Sequence, residues 1–205
     1  MARMGCMARN RATACIAAIC AVLACAALAG CAPKGAAVGA THDESQNVAH
    51  DSIDRQDVTV GVVGALGNPP VSDATVMNDL AKAGLLARFA STTDNADATQ
   101  AAQQAVRDWA SQRVSVIVIN ALDVTDATAR SWADALGSAR DAGVPVALLD
   151  PENPPQDTTL YAAVLRMGTD PADSDRNVGP STYKLDAALS LIINDNPHPV
   201  TMRIS

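Results

Sequence analysis

Val114-Ser115-Val116-Ile117-Val118-Ile119, followed by Asn120, is the stretch that decides the fold. It is rich in β-branched residues and carries no charge, the composition of a strand buried on both faces. Such a strand belongs inside a sheet covered by helices on each side. Its flanks agree. Upstream, a helix over about 98–112 would place Ala102, Ala105, Val106 and Trp109 on one face. Downstream, a helix from Asp126 to Ala142 would end at Gly143.

The same alternation continues outward in both directions. Val144-Pro145-Val146-Ala147-Leu148-Leu149 reads as a further strand, with its proline at the start, where a missing N–H is tolerated. Towards the N-terminus, Val58-Thr59-Val60-Gly61-Val62-Val63 is a second buried run, and 64–70 is a loop. Ser72 or Asp73 can cap a helix to about Lys82. Ala83-Gly84 ends that helix, and Leu85 to Ala90 is a strand. Beyond Asp150 the regularity weakens. The expectation there is a loop over 151–159, a strand over 160–167, a helix over 182–193 and a short strand over 200–204. Strands alternating with helices mean βαβ units with right-handed crossovers. The expected class is α/β: a doubly wound, mainly parallel sheet of five to six strands with helices on both faces.

The first thirty residues read differently. Arg3, Arg9 and Arg11 precede an apolar stretch from Ala12 to Ala27. Basic residues ahead of a short apolar run are the features of an export leader. Leu28-Ala29-Gly30-Cys31 resembles the lipobox of bacterial lipoproteins. That resemblance implies cleavage before Cys31 and acylation of its thiol, which leaves the protein on the extracytoplasmic face of a membrane. Two acyl chains would be needed for firm anchoring. An uncleaved signal anchor is the competing reading. The expected divisions are therefore a leader over 1–30, a lipidated cysteine and flexible tether over 31–57, a lobe over 58–170, and a crossover, helix and strand over 171–205. The last division is either a remnant of a second lobe or the completion of the first.

Composition narrows the function. Four of the five cysteines lie in the leader, so the remainder has no disulfide and no thiolate metal site. His42 and His50 fall in the tether, and His198 lies between two prolines, so no Ser-His-Asp arrangement can be assembled. No enzyme activity, cofactor or metal is expected. After the leader the chain carries 12 Lys+Arg against 22 Asp+Glu. An acidic surface repels phosphate backbones, which argues against nucleic acid as a partner.

In an open parallel sheet, ligands bind beyond the carboxyl ends of the strands. The residues there are 64–68, 91–95, 120–123 and Asp150. They include Asn68, Asp94, Asn120 and Asp150, whose amides and carboxylates suit hydroxyl groups. The same residue types are also common in plain loops and caps.

Residues 58–150 resemble the N-terminal lobe of the ribose-binding-protein-like periplasmic solute-binding proteins. The likeness rests on Val60-Gly61-Val62-Val63, Gly67-Asn68-Pro69, the gap to Gln100, the run 114–120, and Ala142-Gly143-Val144-Pro145-Val146 followed by Asp150. Gly168-Thr169-Asp170 resembles the crossover into a second lobe. The resemblance implies a receptor that delivers a carbohydrate to an ABC importer permease, with Asn68, Asn120 and Asp150 hydrogen-bonding the sugar. The chain departs from the pattern at two places. Pro70 and Val71 stand where aromatic residues usually follow the Asn-Pro, and Pro151 stands where an arginine often follows the aspartate. Its length also leaves little room for a second lobe. A one-lobe lipoprotein that binds a partner protein, without transport, is the alternative. A dinucleotide enzyme is disfavoured because Gly61, Gly64 and Gly67 lack the G-x-G-x-x-G spacing.

Overall fold

A computed structural model describes residues 57–67, 69–93, 95–168 and 182–205. The leader, the lipobox cysteine, the tether up to residue 56, residues 169–181 and two of the expected site residues, Asn68 and Asp94, lie outside the described residues.

The described elements alternate as expected. In chain order they are β1 (Thr59–Val63), α1 (Asp73–Lys82), β2 (Leu86–Ala90), α2 (Ala98–Ser111), β3 (Val116–Asn120), α3 (Ala129–Asp141), β4 (Val146–Leu149), β5 (Ala163–Met167), β6 (Thr182–Tyr183), α4 (Leu185–Ile193) and β7 (Thr201–Ile204). The strands form one sheet in the order β2-β1-β3-β4-β5-β7-β6, and every pairing is parallel. The α/β doubly wound class expected from the sequence is the one observed. The described sheet has seven strands rather than five or six. The addition is β6, a two-residue strand at the edge, in a segment expected to begin a helix.

Period-two alternation in the strands divides the core between the two faces. Ile117 and Ile119 of β3 face α2 and α3, in a cluster with Val106, Trp132, Leu136 and Leu148. Val116 and Val118 face the other way, towards Val76 and Leu80 of α1 and Leu189 and Ile192 of α4. Helices therefore cover both faces, which is why β3 contains no polar residue before Asn120. One close approach sets the spacing of a helix. A Cβ at Gly61 would lie 2.7 Å from Trp109 Cγ, so the indole of α2 packs directly on the backbone of β1.

Several boundaries moved for local reasons. The strand expected from Val114 starts at Val116, because the Val114 N–H still bonds the Trp109 carbonyl of the preceding helix. The helix expected from Asp126 starts at Ala129, because Thr125 and Thr128 close a turn on each other first. Leu160 lies in a 3₁₀ turn over Thr158–Leu160 whose N-terminus is capped by Asp157, and β5 begins only at Ala163.

Candidate functional site

The first five strands run 2-1-3-4-5, so the order reverses between β1 and β3. In open parallel sheets such a reversal is the usual place for a ligand to bind. The loop after β1 is held from several sides. Gly64 N–H donates to the Ala90 carbonyl at 2.9 Å. Ala65 N–H reaches both carboxylate oxygens of Asp73, at 3.1 and 3.2 Å. The Ala65 carbonyl in turn accepts from Thr92 Oγ1 at 2.6 Å. Asp73 can do this because Ser72 serves as the α1 N-cap, accepting from Thr75 N–H, and leaves the first-turn carboxylate free to turn towards the loop.

Asn120 ends β3 and is 1% exposed. Its Nδ2 donates to Asp73 Oδ1 at 2.8 Å and to the Val71 carbonyl at 3.0 Å. Both neighbours are pure acceptors, which fixes the amide with its NH₂ towards α1. Oδ1 is thereby directed away from that pair, enclosed and without a hydrogen bond. Asn120 thus fastens the end of β3 to the β1–α1 loop.

Asp150 follows β4 and is 6% exposed. Its Oδ1 accepts from Met167 N–H at 3.0 Å. Asn120 and Asp150 stand at the ends of neighbouring strands, since Asn120 is in register with Leu149. The backbone at this point is unusual. Ala121 and Asp150 both have positive φ, 48° and 43°. A left-handed conformation costs an alanine about 1–2 kcal/mol, and aspartate less. Both residues are fixed by ladder bonds of 2.8 Å, Ala121 N–H to the Leu149 carbonyl and Asp150 N–H to the Leu165 carbonyl. Two adjacent strands therefore leave the sheet by the same sharp turn.

A guanidinium reaches this turn from a residue that the sequence reading did not single out. Arg166 of β5 donates to the Pro151 carbonyl at 2.8 Å. Asp73 and Thr92 were missed as well. An acid at a helix start reads as a capping residue, and no local pattern marks a bond to a residue 47 positions away. Beyond β3 and β4 the two chains stay joined, by Asn153 Nδ2 to Asp123 Oδ1 at 2.7 Å and Val124 N–H to the Asn153 carbonyl at 2.9 Å. Beside this junction lies a groove of about 480 Å³ between Val124, Ala133, Pro154, Asp157 and Leu160. The Thr159 hydroxyl and N–H hold the Asp157 carboxyl below the usual carboxylate range, helped by Arg140. Burial raises the Tyr161 phenol nearby, and the Asp157 charge adds to the effect.

Among the described residues, no group of three or more His, Cys, Asp or Glu could hold a metal, and no helix is long and apolar enough to cross a membrane.

No protein-family model matches the chain, and no curated protein matches it by sequence. Solved structures do. The periplasmic binding component of the arabinose ABC transporter of Shewanella sp. ANA-3, bound to α- and β-L-arabinofuranose, is 20% identical with a TM-score of 0.42, over 54% of this chain and 35% of that one. A protein of Mycobacterium smegmatis in complex with β-D-fucofuranose is 17% identical with a TM-score of 0.43, over 72% and 55%. An ABC transporter solute-binding protein of Bacillus halodurans C-125 with bound myo-inositol is 14% identical with a TM-score of 0.39, over 74% and 58%.

The likeness is one of fold alone. The matches span between 35% and 58% of the length of these proteins.

Proposed function

We propose that this chain is an extracytoplasmic solute-binding lipoprotein, anchored through Cys31, that takes a carbohydrate at the carboxyl ends of its strands and hands it to an ABC importer permease. The observation that carries the reading is the paired left-handed exit of β3 and β4 at Ala121 and Asp150. Strained backbone next to a strand-end carboxylate is characteristic of sites where a side chain must be aimed rather than merely packed. Asp150 is the hydroxyl acceptor in this reading, because an ionised carboxylate forms the stronger, charge-assisted bond. Asn68 and Asp94 contribute from the loops after β1 and β2. Asn120 acts by holding the β1–α1 loop in place.

The extracytoplasmic placement rests on the leader and lipobox. A bacterial host grown with radiolabelled palmitate tests the anchor. The chain should take up label, and Cys31→Ser should not. Uptake by the Cys31→Ser variant would remove the anchor from the account. A melting-temperature screen against neutral sugars tests the site, with a saturable rise expected for at least one of them.

A further inference from the structure

The chain has five aromatic residues. Trp132 and Tyr161 are buried, Trp109 and Tyr183 are partly buried, and only Phe89 is exposed, at 41%. Its place in the fold is specific. Phe89 lies in the edge strand β2, on the face of the sheet that carries α1, because Leu85 and Ala87 pack with that side and Ala90 with the other. Leu86, the other exposed large apolar side chain, therefore points to the opposite face, and the two do not form a single apolar patch.

The phenyl ring abuts the loop that leaves β1. A Cβ at Gly64 would lie 3.0 Å from Phe89 Cζ and 3.1 Å from Asp73 Oδ2. The ring tip and the carboxylate therefore flank one backbone position, and the missing side chain at Gly64 is what lets both come so close. The carboxylate has accepting capacity left. Oδ1 serves Ala65 and Asn120, whereas Oδ2 receives only the longer branch of the Ala65 bond. A carboxylate offers about four acceptor positions. Asp73 is half-buried, whereas Asn120 is fully buried.

We infer that Phe89 and Asp73, brought together across Gly64, form a subsite for a neutral hydroxylated ring, whose C–H face lies on the phenyl ring while a hydroxyl donates to Asp73 Oδ2. An aromatic face suits the apolar side of such a ring, and the carboxylate suits its hydroxyls and disfavours acidic sugars. This inference rests on the carbohydrate reading above and adds a contact surface at the ends of β1 and β2.

Phe89 is the sole phenylalanine of the chain, so labelling the chain with 4-fluorophenylalanine yields one ring fluorine signal. Titration with L-arabinose, D-galactose and myo-inositol should move that signal saturably for at least one probe. Phe89→Leu should weaken binding of the same probe about 3- to 10-fold by calorimetry, with Tm unchanged. If a probe binds by calorimetry while the fluorine signal stays fixed and Phe89→Leu binds as tightly as the native chain, the subsite is overturned and the wider reading stands. If none of the three probes gives heat or moves the signal, the subsite and the carbohydrate reading both fall.

Discussion

Asn120 Nδ2 donates to Asp73 Oδ1 at 2.8 Å, and this bond ties the last residue of β3 to the first turn of α1. The two elements belong to different crossovers and also share the core cluster of Val76, Leu80, Val116 and Val118. The bond pins the end of β3 to the start of α1, and its chemistry can be tested directly.

Asn120→Asp would place a second buried carboxylate against Asp73 and the Val71 carbonyl. Burial and like charge both raise its folded pKa above the unfolded value of about 3.9. A raised carboxyl destabilises the fold when ionised. The variant should thus match the native stability best near pH 4 and fall behind as pH rises. By pH 7 the deficit should reach about 3 kcal/mol. Urea unfolding at several pH values measures it, and a deficit independent of pH would show that Asn120 does not face Asp73.

Gly61→Ala tests the packing of α2 on β1. Its Cβ would meet Trp109 Cγ at 2.7 Å, and overpacking of this kind costs about 1–3 kcal/mol. Trp109→Leu in the same chain should relieve part of the loss. Additive losses in the double variant, read by chemical denaturation, would contradict the contact.

Ala121→Gly tests the left-handed exit from β3. Glycine adopts φ near 48° without strain, so the variant should be more stable by about 0.5–1 kcal/mol. That corresponds to a rise in Tm of about 1–4 °C. A fall in Tm would mean that the residue is not left-handed in solution.

Much of the fold could be read in advance, and the reason is burial. β1, β3 and β4 are enclosed on both faces, so their residues form unbroken apolar runs. β6 left no such mark, because a two-residue edge strand has too few positions to show a pattern. The apolar Leu160-Tyr161 pair looked like the start of β5, yet it is buried by a 3₁₀ turn instead. The candidate site was legible only as a set of strand ends. The strand ends predicted where Asn120 and Asp150 would stand. The bonds that determine what each does reach far along the chain, from Asn120 to Val71 and Asp73 and from Asp150 to Met167. Phe89 was hidden for the opposite reason: an apolar residue in a strand reads as core, and only the edge position of β2 exposes it.

Thr159→Val tests the local electrostatics beside the groove. Loss of the hydroxyl removes the largest cause of the lowered Asp157 pKa, so its titration midpoint should move up towards the usual carboxylate range. A depressed carboxyl stabilises the fold above its unfolded pKa, and that contribution is lost as pH falls through the folded value. Carbon-13 NMR of the Asp157 carboxyl follows the midpoint, and an unmoved midpoint would remove the hydroxyl as its cause.

Asp150→Asn isolates the proposed role of Asp150 as a solute acceptor. The amide oxygen can still accept from Met167 N–H, so the turn after β4 is retained while the charge is lost. Melting curves of the native chain and this variant against a panel of neutral sugars are the direct measurement. The native chain should show a saturable rise in Tm with at least one sugar, and Asp150→Asn should abolish that rise while melting at nearly the native temperature without sugar. An equal rise in both proteins, or none in the native chain across the whole panel, would contradict it.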